Sequence, residues 1–218
     1  MPAAVVFDCF DTLVTSHRPF PSPEEFTACL VDVLTIDEGR ANAVVGTVFG
    51  AVYAAMSDRS ALQPSTLGLL DTALREHGVV RERVALERAL WHALGCADPD
   101  RYALCEPAAT AMVRVAEAGH SVRVLSNCYL PGTLMRRLLN GLKVPEVYDR
   151  VLFTADGGPK KPDPRAFHLI GAGEFERRVM VGDSEADDIA PAAALGWDTV
   201  LVDPDRPDLT ELMSLLEL

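Results

Sequence analysis

The chain has 218 residues, 49% hydrophobic and 24% charged, an ordinary globular composition that can bury one sizeable core or two small ones. Its formal net charge is −12 and no Lys/Arg run breaks the acidity, which argues against a nucleic-acid binder and requires any anionic ligand to meet locally placed positive charge. The longest uncharged run, residues 41–57, is short for a membrane span and contains Asn42 and Thr47, so it reads as a helix buried on most sides.

In chain order, "AAVVF" (3–7) reads as a buried strand that runs directly into Asp8. From 15 to 105 no segment reads as a strand. Two capping boxes, "SPEE" (22–25) and "TIDE" (35–38), open helices there. Segments 65–77 and 82–94 read as helices closed by Gly78 and Gly95. "GTVFG" (46–50) reads as a small-residue face in tight helix contact. A helix over 107–118 ends at Gly119 and belongs with the strands C-terminal to it.

Four further strands then alternate with helices. The strands are "SVRVL" (121–125), "RVLFT" (150–154), "RVMV" (178–181) and "DTVLV" (198–202), and the helices span 131–139, 164–170 and about 188–195. Asp163 N-caps the second of these helices, and Pro191 falls in the first turn of the third. Alternation of this kind predicts a doubly wound parallel α/β sheet. The expected organisation is an α/β core from residues 1–14 and 106–218, with an all-helical cap from 15–105.

The start of the chain has no basic region followed by an apolar stretch, so no secretory signal is read. Five cysteines, odd in number and without a CxxC, suit a reduced cytoplasmic protein without a zinc site. The five histidines form no ligand cluster, and Cys9, Cys128 and Trp91 read as packing residues. Arg40, Arg59 and Arg101 are possible anchors for a substrate, and nothing in the sequence ranks them.

The unusual residues collect at strand ends, where open α/β sheets bind ligands. Asp8 follows the first strand, Ser126 and Asn127 the second, "KKPDP" (160–164) the third and "GDSEADD" (182–188) the fourth. Asp8, Asp183 and Asp188 are expected to converge, with Glu185 and Asp187 nearby. Crowded carboxylates need a counter-cation, and all-oxygen donors suit Mg²⁺.

The motifs "FDCFDTL", "LSN", "KPDP" and "VGDSEADD", in this order and with a helical insert after the first strand, resemble the haloacid dehalogenase (HAD) superfamily. The resemblance implies that Asp8 is a nucleophile forming an aspartyl-phosphate. It also implies that Ser126, Asn127 and Lys161 bind the phosphoryl group. The Mg²⁺ ligands would be Asp8, Asp183, the backbone carbonyl of Phe10, and Asp188 directly or through water. Lys160 lies one register off the motif and reads as a surface charge.

One position departs from the family's phosphatases. They carry a second aspartate two residues after the nucleophile, as general acid and base, and here that residue is Phe10. Asp11 stands where the family often has glycine and reads as a turn residue tolerant of left-handed backbone, with a displaced general acid as the rival reading. The expected function is Mg²⁺-dependent hydrolysis of a small phosphorylated substrate, with no nucleic-acid or membrane partner. The alternatives are a 2-haloacid dehalogenase-type C–X hydrolase, whose family members also carry an aromatic residue at that position, or a catalytically weak binding protein of the same fold.

Overall fold

The computed structural model describes residues 2–218. The elements in chain order are β1 (Ala4–Phe7), β2 (Val14–Ser16), α1 (Pro23–Leu34), α2 (Glu38–Ser57), α3 (Thr66–Glu76), α4 (Arg83–Ala93), β3 (Tyr102–Leu104), α5 (Glu106–Glu117), β4 (Ser121–Ser126), α6 (Gly132–Gly141), β5 (Arg150–Phe153), α7 (Pro164–Ile170), β6 (Arg178–Gly182), α8 (Ala190–Ala194), β7 (Asp198–Leu201) and α9 (Thr210–Leu215). Five strands pair in the order β5–β4–β1–β6–β7, all parallel. All five expected strands are present. β1 is central because the chain builds β4 and β5 on one side of it and then crosses to build β6 and β7 on the other.

Strand periodicity splits the core in two. Val5 and Phe7 of β1 join Val122, Val124, Val179 and Val181 on one face. Val6 joins Leu125 and Met180 on the other, under Ala166, Phe167 and Ile170 of α7. Both faces are covered, which is why these strands read as continuous apolar runs. The first face continues without a break into the helical insert, through Phe26 and Leu30 of α1, Val44 and Val48 of α2, Leu70 and Leu74 of α3 and Leu90 of α4.

Several local expectations are corrected. The insert is bracketed by a two-stranded antiparallel ribbon, β2 against β3, with Thr15 opposite Ala103. Three-residue strands give no period-2 signal, and their pairing spans nearly ninety residues. Ser22 heads a true capping box with Glu25, but "TIDE" is not one. Thr35 ends α1 in left-handed backbone (φ 53°), and Asp37 caps α2 by accepting from the Arg40 amide at 3.0 Å. α2 is buried along one stripe only. Gly46 and Gly50 face open space, so the small-residue face of "GTVFG" makes no tight contact, and the segment packs through Val48 and Phe49 instead. Pro131 caps α6 from outside its first turn, and α9 is an addition to the expected helices.

Candidate active site

Asp8 follows the last residue of β1, its amide still on the sheet ladder through the Val181 carbonyl at 2.8 Å. The chain then turns sharply. The amides of Leu13 and Val14 both donate to the Cys9 carbonyl, each at 2.8 Å, and Asp11 sits at φ 59°. The turn reading of Asp11 therefore holds as far as backbone is concerned. Its carboxylate also accepts from the Ser16 amide at 3.4 Å, which ties the turn to β2. The turn directs Thr12, fully buried, toward Asp183, with its hydroxyl 3.4 Å from Oδ1.

The end of β6 is shaped by Gly182. A Cβ there would lie 2.5 Å from the Asp188 carboxyl carbon, so only glycine lets Asp188 fold back over the strand end. A single π turn over Glu185–Ile189 brings Asp188 round, and its Oδ2 accepts from the Ser184 amide at 3.1 Å. Asp8, Asp183 and Asp188 each offer an oxygen within 4.8 Å of the others. Glu185 is exposed and outside this cluster.

Lys161 is the cluster's buried cation. Its Nζ lies 2.5 Å from both Asp8 Oδ1 and Asp188 Oδ1. Burial pushes Asp8 up to about 7; Lys161 pulls it down and Asp188 pushes it up further. Burial, then Asp188, raises Asp183 as well. The two carboxylates raise Lys161 against the effect of its own burial, so it stays an ammonium. Three carboxylates against one ammonium leave the cluster short of positive charge.

The second strand's residues divide their work. Ser126 is fully buried at the end of β4, with the thiols of Cys9 and Cys128, weak hydrogen-bonding groups, as its near neighbours; among the described residues its Oγ meets no stronger partner. Asn127 has both side-chain polar atoms committed to the backbone of Lys161. It holds the lysine's chain in place, a role its motif did not suggest. Cys128 is pushed up to about 12 by burial, an inert thiol.

Lys160 is not a surface charge. It is 5% exposed, and its Nζ donates to the carbonyls of Asp58 and Ala61 at 2.9 and 2.6 Å. Gln63 bridges to Gly158 beside it, and Arg165 donates to the Ser60 carbonyl at 2.6 Å. The loop after α2 is thus tied to the segment that carries Lys161. A cleft of about 540 Å³ opens between this core edge and the insert, walled by Phe10, Asp11, Arg101, Tyr102, Asn127 and Tyr129 among others.

A buried carboxylate beside a buried lysine at the carboxyl edge of a parallel sheet, with a cleft lined by Phe10 and Asn127 alongside, is the arrangement of an α/β enzyme. The chain belongs to the haloacid dehalogenase-like hydrolases: that family's sequence model matches residues 2–196. A ribulose-1,5-bisphosphate 5-phosphatase of Halopiger xanaduensis is 31% identical over 134 residues, which is 60% of this chain and 54% of that protein, so the match spans about half of the relative's length. Among solved structures, the 2-haloacid dehalogenase of Pseudomonas syringae pv. Tomato has a TM-score of 0.62 at 18% identity, covering 100% of this chain and 99% of that one. A magnesium-bound HAD-hydrolase of Bacillus subtilis gives 0.57 at 16%, covering 100% and 99%. A HAD phosphatase of Thermococcus onnurineus gives 0.56 at 17%, covering 99% and 98%. At these identities the structures establish the fold. No helix among the described residues is long and apolar enough to cross a membrane, and all five cysteines are free thiols.

Proposed function

We propose that the protein hydrolyses a small phosphorylated substrate in the cytoplasm through an aspartyl-phosphate on Asp8, with Mg²⁺ as cofactor. The observation that carries this reading is the oxygen cluster of Asp8, Asp183 and Asp188 with Lys161 as its buried ammonium. The donor set is all oxygen and has an excess of negative charge, which fits a hard divalent cation. Asp8, Asp183 and the Phe10 carbonyl would hold it, with Asp188 direct or through water. When bound, the cation offsets the repulsion between Asp8 and a phosphate dianion.

The chain's own groups do the rest. An Asp8 oxygen attacks phosphorus, the bond from phosphorus to the leaving oxygen breaks, and water later cleaves the acyl-phosphate. Lys161 favours the ionised form of Asp8 against the effect of burial and donates to a phosphoryl oxygen as charge builds there. The buried Ser126 hydroxyl, which has only thiols beside it among the described residues, supplies a further donor, and Asn127 fixes the backbone of Lys161. Phe10 provides no proton for the leaving group, so that group must depart unaided or take its proton from elsewhere.

Residues 15–105 form the cap in this reading, with residues 1–14 and 106–218 as the core. The β2–β3 ribbon supports that boundary, because both chain passages into the insert lie side by side there. The test is a panel of phosphate esters and 2-haloacids, each assayed with Mg²⁺ and with EDTA. Phosphate release that needs Mg²⁺ and disappears in Asp8→Asn is expected. Halide release indifferent to EDTA would replace this reading with the dehalogenase one.

A further inference from the structure

We propose that Arg101 binds a second oxyanion of the substrate, carried on the part that leaves; this deepens the phosphatase reading and rests on it. Arg101 is 8% exposed and lines the 540 Å³ cleft beside Phe10 and Asp11, which lie two and three residues after Asp8 in the chain. A guanidinium has five N–H donors. Here Nε faces the Tyr102 hydroxyl at 3.3 Å and one terminal nitrogen donates to the Pro19 carbonyl. Among the described residues no carboxylate lies within ion-pair distance of it.

The guanidinium lies over the Tyr102 ring, 5.6 Å from its centroid, but a largely buried cation without a counter-charge is costly, and the N–H groups not spent on Pro19 and Tyr102 are open to an anionic acceptor in the cleft. The other cations are committed or exposed. Arg18 lines the same cleft but pairs with Asp98 at 3.0 Å and is 59% exposed. Arg40 pairs with Asp37 on the surface. Arg59 is exposed; it lines a smaller cavity of about 300 Å³ that shares Asn127, Cys128 and Tyr129 with the cleft and that Lys161 also lines. The ranking that the sequence withholds is supplied by burial, which sets Arg101 apart from the exposed Arg18, Arg40 and Arg59.

The cleft also describes the body between the two anions. Phe10 and Tyr102 stand 5.8 Å apart by ring centroid, and Phe20 and Tyr129 form a second aromatic pair at 5.1 Å on the same cleft. An apolar cavity of about 150 Å³ takes a benzene ring, so this larger cleft accommodates an aryl group with a substituent. The substrate class is a phosphate monoester of a compact, flat leaving group whose far end bears a carboxylate or a second phosphate.

Three esters separate the possibilities: 4-carboxyphenyl phosphate, 1,4-phenylene bisphosphate and the neutral 4-carbamoylphenyl phosphate. kcat/KM is measured with Mg²⁺ for wild type, Arg101→Gln and Arg101→Lys. Differences in intrinsic reactivity cancel when each anionic ester is divided by the amide and the ratio compared between variants. Arg101→Gln is expected to lower the ratio about 10–100-fold for the anion that matches, the loss of a charge-assisted hydrogen bond, and Arg101→Lys to restore part of it.

Which ester shows the larger drop identifies carboxylate or phosphate as the partner. An unchanged ratio, with all three esters slowed alike, overturns the proposal and makes Arg101 a strap holding Pro19. Should Arg101→Gln fail to fold, binding to Asp8→Asn by calorimetry decides: an anionic ester held at least tenfold tighter than the amide supports the proposal, and equal affinities overturn it. Phosphate release from none of the three, with no binding to Asp8→Asn, overturns the phosphatase reading itself.

Discussion

Asn127 and Lys161 hold each other by two reciprocal bonds: Asn127 Nδ2 donates to the Lys161 carbonyl and the Lys161 amide donates to Asn127 Oδ1, both at 2.9 Å. The pair joins the end of β4 to the loop after β5, two neighbouring strands of the sheet. Lys161 Nζ is thereby aimed at Asp8 and Asp188 from a backbone that cannot shift without breaking both bonds.

Asn127→Ala is therefore expected to lower kcat by about 10²-fold with a smaller effect on KM, because misplacement of a group by about 1 Å costs that much. Lys161→Ala should lose about 10²–10³-fold, as for a missing electrostatic donor. If Asn127 acts through Lys161, the double variant is no slower than Lys161→Ala alone. Steady-state kinetics on the four proteins measure this, and independent, multiplying losses would give Asn127 a direct contact with substrate.

Legibility in the sequence is a matter of range. Asp8 stands out because a carboxylate directly after a buried apolar run has a local cost, and the five core strands are each local runs. The lysines show the limit. Lys160 and Lys161 are adjacent and alike in sequence, and both are buried. One reaches Asp8 and Asp188, the other the carbonyls of Asp58 and Ala61, about a hundred residues away. Only long-range partners distinguish them. The same holds for β2 and β3, whose three residues acquire strand character from each other, and for Arg101, which is buried against the carbonyl of Pro19, 82 residues earlier in the chain. Gly46 and Gly50 fail in the opposite sense: a local pattern suggests contact, and tertiary packing leaves that face open.

Lys160 gives a contrast with its neighbour. Lys160→Ala removes a buried donor from two carbonyls and should cost about 1–3 kcal/mol of stability. It should leave kcat within a few-fold of wild type, because its Nζ is bonded to the insert and not to the carboxylates. Thermal unfolding and kcat together test this. A collapse of turnover at unchanged melting temperature would move Lys160 into the chemistry.

The acidic cluster sets a pH dependence. Asp8 is raised to about 7 and Asp183 is raised, both mainly by burial, so the folded protein without metal holds protons that the unfolded chain releases near its ordinary carboxylate pKa. Their contribution to stability is full below that ordinary pKa and is lost as pH rises toward about 7. A cation needs the ionised carboxylates and competes with those protons. The shift in melting temperature produced by Mg²⁺ over EDTA should therefore be small at pH 5 and larger at pH 8, and be reduced at both in Asp183→Asn. A shift independent of pH would mean that Mg²⁺ binds away from Asp8 and Asp183.

Phe10 governs the last expectation. Its ring packs against Tyr102 and carries no proton to give a leaving group, so on the phosphatase reading proposed above the rate should depend on the leaving group's own basicity. Losing a general acid costs about 10²–10⁴-fold, and that cost falls on poor leaving groups. Aryl or acyl phosphates should be hydrolysed much faster than alkyl phosphates, with a steep dependence on leaving-group pKa. Phe10→Asp should flatten the dependence and raise alkyl phosphate turnover, provided the loss against Tyr102 leaves the turn in place. Asp11 is the control. At φ 59° it occupies backbone that Asn and Gly also accept, so Asp11→Asn should melt and turn over nearly as wild type, while Asp11→Val should lose about 1–2 kcal/mol of stability. A large fall in rate for Asp11→Asn, at unchanged melting temperature and with a still steeper leaving-group dependence, would identify Asp11 as the proton donor and Phe10 as the residue that aims it.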